Sequence, residues 1–141
     1  MKIVVSLLVL IAMTGLWLFV QSLNPYSDGD DEGTIVIRLI DHEGLIVLED
    51  EHSFGEGDTL LSLLEKHYEI RTAKQALGTI ILDFESVKTD FFEAFIYIHI
   101  EGILYVNGEP KEMTGKMLSL GIDSIPLIDG NVYVFEYRIP W

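Results

Sequence analysis

The sequence predicts an α+β fold, a mixed β-sheet with one packed helix in the pattern of a β-grasp, preceded by an N-terminal transmembrane or signal helix. An uninterrupted apolar stretch opens the chain, short runs of alternating apolar and polar residues recur through the rest, and one stretch has helical apolar spacing. These patterns divide the 141 residues into an N-terminal anchor or signal segment at 1–23, an acidic linker at 24–33 and a β-grasp-like domain at 34–141.

The opening apolar stretch covers residues 3–20, and its only weakly apolar or polar residues are Ser6, Thr14 and Gly15. A bilayer core needs about 20 apolar residues, whereas the apolar part of a signal peptide is about 7–15 residues long. The length therefore favours an uncleaved single-pass anchor in the cell membrane over a secreted form cleaved near Ser22. Because Lys2 precedes the stretch and acidic residues follow it, the positive-inside rule predicts that the domain lies outside.

The linker combines proline, glycine and acidic residues without apolar periodicity, which is typical of a short flexible tether. Asp28, Asp30, Glu32 and Gly33 also match the opening of an EF-hand calcium loop. The twelfth position of that loop would be Leu39, which cannot supply the bidentate carboxylate. The composition thus favours a solvated linker and predicts no metal site.

Charge and cysteine content exclude several classes of function. Nine Lys and Arg residues stand against 23 Asp and Glu residues, for a net charge of −14. Nucleic-acid binding needs clustered basic residues, and self-repulsion at this charge favours a monomer. The absence of cysteine excludes disulfides and thiolate metal sites, and no motif predicts a cofactor.

The first half of the domain predicts a hairpin followed by a helix. Thr34–Asp41 alternates between apolar and polar residues, and Leu45–Glu49 repeats this β-rich character after a short loop with glycine. Asp58 occupies the expected N-cap position of a helix that ends near Tyr68. Its apolar stripe consists of Leu60, Leu63, Leu64 and His67, which have the spacing of one helix face.

The second half predicts further strands and one tight turn. Asn107-Gly108 is a strong signal for a type I′ hairpin turn, because both positions require positive φ. Val132–Tyr137 is expected to be a central strand buried on both faces. The other predictions are an irregular segment at Glu69–Leu77, strands at Thr79–Phe84, Phe95–Ile100 and Ile103–Val106, and a helical turn within Met113–Leu120.

No catalytic motif occurs in the chain, so we predict that it is not an enzyme. The sequence lacks G-x-S-x-G, G-x-x-x-x-G-K-[ST] and H-E-x-x-H. The face of the predicted strand Phe95–Ile100 that carries Phe95, Tyr97 and His99 is the main candidate site, because its opposite face is fully aliphatic. The same stripe could instead be covered by residues 69–77.

Six phrases in order resemble the DUF4430 family, which shares a β-grasp fold with the C-terminal domain of transcobalamin and intrinsic factor. They are GDTLL at 57–61, GTIIL at 78–82, VKTD at 87–90, YVNGEP at 105–110, GIDS at 121–124 and DGNV at 129–132. In the cobalamin carriers this domain closes over one side of the corrinoid. Relatives commonly have an aromatic pair before the Val-Asn-Gly turn, whereas Ile103-Leu104 precede Tyr105 here.

The resemblance implies an exported binding or accessory module without catalysis. We therefore expect a membrane-anchored module that assists uptake of a small, cobalamin-like nutrient, with a small-molecule ligand or a membrane transport partner. Tyr105 and Asn107 join Phe95, Tyr97 and His99 as candidate ligand-binding residues. The alternative is a cell-surface protein–protein interaction or adhesion module that uses a sheet edge or the aromatic stripe.

Overall fold

The computed structural model describes residues 2–22, 26–76, 78–89, 94–116, 118 and 121–139. Two α-helices and nine strands form a mixed α+β fold in this part of the chain, as predicted. The helices are α1 (Lys2–Ser22) and α2 (Leu60–His67), and a 3-10 helix covers Ile122–Ser124. The strands are β1 (Gly33–Ile40), β2 (Ile46–Phe54), β3 (Ile70–Gln75), β4 (Gly78–Phe84), β5 (Val87–Lys88), β6 (Phe95–Glu101), β7 (Ile103–Val106), β8 (Glu109–Glu112) and β9 (Val132–Arg138).

The strands form a four-stranded sheet, a three-stranded sheet and a hairpin. The four-stranded sheet has the order β2-β1-β9-β6, in which β1 and β9 are parallel and the other neighbours are antiparallel. The three-stranded sheet has the order β3-β4-β5, and β7 pairs with β8. The predicted hairpin at β1 and β2 and the mixed character of the main sheet are therefore confirmed.

Strand β9 lies in the middle of the core. Tyr133, Val134 and Phe135 are fully buried, which confirms the expectation of a central strand covered on both faces. The Tyr133 hydroxyl donates to the Pro126 carbonyl at 2.6 Å and accepts from the Ile128 amide at 3.0 Å. Burial raises the pKa of Tyr133 to about 12. This buried hydroxyl thus fixes the turn that leads into the last strand.

Helix α2 begins one residue later than predicted. Thr59 is the N-cap: its side chain accepts a hydrogen bond from the Ser62 amide, and the Ser62 side chain accepts one from the Thr59 amide. Asp58 instead accepts from the Gly55 amide at 2.9 Å and stabilises the preceding turn. Leu60, Leu63 and Leu64 are buried as predicted, whereas His67 is exposed.

Two segments differ from the sequence prediction. Residues 69–77 are not irregular where the structure describes them, because β3 pairs with β4 across a bulge between Arg71 and Thr72. Leu77 and Leu120 lie outside the described residues. Positions 113–116 and 118 contain no helix, and Gly115 has a positive φ of 79° that interrupts helical geometry.

The described part of the acidic linker is docked on the domain, which corrects the expectation of a flexible tether. The Ser27 amide donates to the Tyr105 carbonyl at 2.8 Å, and the Asp30 amide donates to the Leu127 carbonyl at 2.8 Å. The Asp30 carboxylate accepts from the Asp129 amide at 2.9 Å. Residues 26–30 therefore belong to the folded unit.

Helix α1 exposes its side chains from Ile3 to Leu16. None of the helices in the described parts of the chain is long and apolar enough to cross a bilayer. The anchor at residues 3–20 accordingly stays a prediction, as do the domain boundaries.

Candidate functional site

A cavity of about 440 Å³ lies between β4 and β6 and is referred to below as the β4–β6 cleft. Consecutive residues of a strand point to opposite faces of its sheet. A cavity lined by four consecutive residues of each strand therefore runs along their edges and not across one face. Its lining residues are Gln75, Ala76, Gly78, Thr79, Ile80, Ile81, Phe95, Ile96, Tyr97, Ile98, Leu118 and Gly121.

The two strands that border the cleft belong to different sheets. Strand β6 is an edge of the four-stranded sheet, and β5 pairs with β4 only at Asp83 and Phe84. The Cα atoms of β4 and β6 approach within 8 Å of each other. A third strand inserted between β4 and β6 would need these two strands to be about 9.6 Å apart, twice the usual strand spacing. Where the two strands approach this closely, no further strand can lie between them.

One end of the cleft is closed by a tight backbone crossing. A Cβ atom at Gly121 would lie 2.5 Å from the Thr79 amide nitrogen, and one at Gly78 would lie 2.8 Å from the Gly121 Cα. The Asp123 carboxylate accepts from the Thr79 amide at 3.0 Å and from its hydroxyl at 3.1 Å. These hydrogen bonds, above all the one from the Thr79 amide, lower the pKa of Asp123. The 3-10 helix is thereby fixed against β4.

Phe95 and Tyr97, two of the predicted site residues, line the cleft. Phe95 is 40% exposed and occupies the first position of β6. The guanidinium carbon of Arg138 lies 4.4 Å from the centre of the Tyr97 ring, which is a cation–π contact. The Arg138 guanidinium therefore covers one face of the Tyr97 ring.

His99 lies on the same face of β6 but does not line the cleft. Its ring stacks on Tyr97 with centroids 5.5 Å apart. Its Nε2 atom is 3.4 Å from a Glu136 carboxylate oxygen, yet it is buried and makes no hydrogen bond among the described residues. His99 thus contacts the cleft residue Tyr97 and does not itself line the cavity.

Tyr105 and Asn107 belong to the β7–β8 hairpin and do not line the cleft either. Asn107 and Gly108 have φ angles of 53° and 79°, which confirms the turn geometry that the sequence predicted. The Tyr105 side chain is half-buried and packs against the core. A separate cavity of about 430 Å³ next to the turn includes Asn107. The structure thus divides the five candidate residues between two places.

The sequence predicted β4 as a strand at Thr79–Phe84 but not its position beside β6, and it missed β3 because residues 69–77 were interpreted as irregular. The alternation of Tyr68, Ile70 and Thr72 is a strand signal that could have identified β3 and, through it, the position of Gln75. Gly121 lines the cleft because it lies close to Gly78 and Thr79, which are far from it in sequence. No local pattern predicts such a contact.

A second polar cluster joins β2 to the end of α2. His52 and His67 stack with ring centroids 4.3 Å apart, and His52 Nε2 is 2.5 Å from the Tyr68 hydroxyl. The Tyr68 hydroxyl donates to the Asp50 carboxylate at 2.8 Å. Burial, and secondarily the neighbouring His67, lowers the pKa of His52. Within the described residues, no three histidine or acidic side chains are placed to bind one metal ion.

Comparisons with known proteins bear on the fold only. No protein-family model matches the chain, and no curated protein matches it. A solved structure from Ruminococcus gnavus ATCC 29149, provisionally described as a metal binding protein and determined at 1.30 Å, has a similar fold. The TM-score is 0.56 at 16% sequence identity, and the match covers 78% of this chain and all of the other.

Proposed function

We propose that the chain is an exported, membrane-anchored, non-catalytic binding module whose small-molecule ligand occupies the β4–β6 cleft. The observation that carries the proposal is the cleft itself, which brings Phe95 and Tyr97 to an opening between two strand edges. Ligand pockets are typically concave, mostly apolar and about 300–1,000 Å³ in volume. A cavity of about 440 Å³ lined largely by aliphatic and aromatic side chains fits that description.

The shape of the cleft limits the part of a ligand that can enter it. We expect a planar aromatic ring to be the group that enters, because Phe95 and Tyr97 offer aromatic packing at the cleft. Backbone groups along the two strand edges can hydrogen-bond to polar atoms on the rim of such a ring. A ligand larger than the cavity, such as a corrinoid, would insert one edge or substituent and leave the rest outside.

The β-grasp assignment and the likeness to DUF4430 are part of the same proposal. A hairpin, a helix and a final strand parallel to the first, with strand order β2-β1-β9-β6, support a β-grasp. Export and anchoring through residues 3–20 are supported by the apolar composition of that stretch and by the charges on either side of it. A role in uptake of a cobalamin-like nutrient follows from the resemblance alone.

Thermal unfolding of the full chain in a mild detergent tests the cleft. The panel contains cyanocobalamin and planar heteroaromatic compounds, each at a saturating concentration. A ligand present at a hundred times its dissociation constant stabilises the folded state by about 2.7 kcal/mol, which is an increase of many degrees in the unfolding temperature.

Matched variants locate the binding site. We expect Tyr97→Ala to abolish the stabilisation by any compound that binds, because it removes the ring at the cleft. Asn107→Gly keeps the turn and lies outside the cleft, so it should leave the stabilisation unchanged. A panel without any stabilising compound, or a compound whose effect depends on Asn107 and not on Tyr97, would contradict the proposed site.

A further inference from the structure

We propose that the open edge of β2 binds an extended, basic segment of a partner polypeptide, which adds a fifth strand to the four-stranded sheet. Strand β2 has nine residues, and among the described residues it pairs on one side only, with β1. An unpaired strand edge exposes a row of N–H and C=O groups that can template another strand. The proposal is independent of the ligand cleft, which borders the opposite edge of the same sheet.

The register identifies the backbone groups that face outward from β2. The Val36 amide donates to the Asn131 carbonyl and the Gly130 amide donates to the Thr34 carbonyl, so both β1 residues direct their backbone groups towards β9. Glu51 and Ser53 lie opposite Val36 and Thr34 in the antiparallel pair. In an antiparallel pair, two residues opposite each other either both direct their backbone groups towards the partner strand or both direct them away from it. Glu51 and Ser53 therefore direct their amide and carbonyl groups outward, away from β1.

The side chains along this edge define the chemistry of the partner. Glu49, Asp50 and Glu51 are exposed acidic residues in the middle of the strand and are called the acidic row below. Glu49 and Glu51 lie on one face of the sheet, whereas Asp50 lies on the other and accepts a hydrogen bond from the Tyr68 hydroxyl. Glu49 pairs with Arg38 at 2.7 Å, whereas Glu51 makes none of the described ion pairs. Next to the row lie three consecutive aliphatic residues, Leu45, Ile46 and Val47, which are 57%, 55% and 46% exposed. A segment with basic residues in its middle and an apolar end would complement both parts of the edge.

The acidic row also argues against other occupants. In a symmetric antiparallel pair of β2 strands centred on Asp50, Asp50 would face its own copy and Glu49 would face Glu51. Like charges directly opposite each other are destabilising. An anionic lipid surface is disfavoured by the net charge of −14. A basic polypeptide is the occupant whose charge matches this edge.

The test uses the full chain in a mild non-ionic detergent and two acetylated, amidated six-residue peptides, one alternating Lys with Val and one alternating Asp with Val. We expect the Lys peptide to bind and the Asp peptide to bind at least tenfold more weakly. Hydrogen exchange of the Glu51 and Ser53 amides should slow on binding, because outward amides become hydrogen-bonded in the new ladder.

Two variants measure separately the effects of the Glu51 backbone amide and of the Glu51 side-chain charge on peptide binding. Glu51→Pro removes one outward amide without removing a bond to β1, and it should weaken binding of the Lys peptide at least tenfold. Glu51→Lys should weaken binding of the Lys peptide and strengthen binding of the Asp peptide. This reversal can be measured even if the proline variant does not fold. Glu109→Lys makes the same charge change on exposed β8 and should leave both affinities unchanged.

Several results would overturn the proposal. They are equal affinity for the two peptides, unchanged exchange at Glu51 and Ser53, or an effect of Glu109→Lys as large as that of Glu51→Lys. Self-association of the chain that Glu51→Pro abolishes would assign the edge to a second copy. Binding to anionic vesicles that requires Ile46 and Val47 would assign it to a lipid surface.

Discussion

Replacing Asp123 with alanine should destabilise the fold and disrupt the ligand cleft together. The side chain accepts two hydrogen bonds from Thr79, at 3.0 Å from the amide and 3.1 Å from the hydroxyl. Thr79 is only 3% exposed, so its amide loses a partner in a site that water reaches poorly. An unsatisfied buried group costs about 1–3 kcal/mol. We expect a loss of about 2 kcal/mol, equivalent to roughly 8–16 °C in the unfolding temperature of a domain this size.

Urea unfolding of Asp123→Ala, Asp123→Asn, Thr79→Val and the double variant Asp123→Ala/Thr79→Val measures this contribution. The asparagine keeps one acceptor oxygen and should lose about half as much stability. The costs of Asp123→Ala and Thr79→Val should not be additive, because the two residues share a hydrogen bond. Additive effects, or an Asp123→Ala variant within 0.5 kcal/mol of the original, would refute the reasoning. Because the folded-state pKa of Asp123 is lowered, its contribution is present above the ordinary carboxyl pKa and disappears as the pH falls through the folded-state value.

Three further outcomes are expected. Gly121→Ala places a Cβ 2.5 Å from the Thr79 amide nitrogen and should lower the free energy of unfolding in urea by about 1–3 kcal/mol or more. Gly55→Ala, with no atom within 4 Å of the new Cβ, should leave it almost unchanged. The lowered pKa of His52 means that the unfolded chain binds more protons, so stability should fall as the pH drops below about 6.5. His67→Ala should reduce this pH dependence, and equal slopes in the two proteins would contradict the assignment. Asn107→Val forces a β-branched residue to a φ of 53° and should lower the free energy of unfolding by about 1–2 kcal/mol, in contrast to Asn107→Gly.

The sequence predicted the elements whose patterns are local. Ile35, Ile37 and Leu39 alternate along β1 and are all buried, because a single face of that strand meets the core. The Asn107-Gly108 turn was equally predictable, since the positive φ angles are set by two adjacent residues. The N-cap was displaced by one residue because Thr59 and Ser62 form a reciprocal capping box that Asp58 cannot form.

The parts that sequence reasoning missed depend on contacts between distant segments. Strand β3 has exposed and half-buried residues along its whole length and is fixed by its pairing with β4. The docked linker depends on hydrogen bonds from residues 27 and 30 to residues 105 and 127. Half of the candidate cleft could therefore be predicted from Phe95 and Tyr97. The other half required the position of β4, which is set by Gly78, Gly121 and Asp123.

The exposed apolar residues of both proposed binding regions lie far from the point at which the chain enters the domain. Asp30 is hydrogen-bonded to Leu127 and Asp129, at the end of the four-stranded sheet where β1 and β9 begin, and Ser27 is hydrogen-bonded to Tyr105. In the described domain, the exposed large apolar side chains are Leu45, Ile46, Val47, Phe95 and Ile139.

The register places these apolar side chains at the other end of that sheet. Ile40 lies opposite Ile46 and Glu136, and Phe95 lies opposite Arg138. The seven residue steps of β1 separate the two ends by about 23 Å. The four residue steps from Ser22 to Tyr26 span at most about 14 Å. A chain anchored through residues 3–20 would therefore hold the entry end of the sheet near the membrane and direct the apolar end of β2 away from it, towards a partner outside the bilayer.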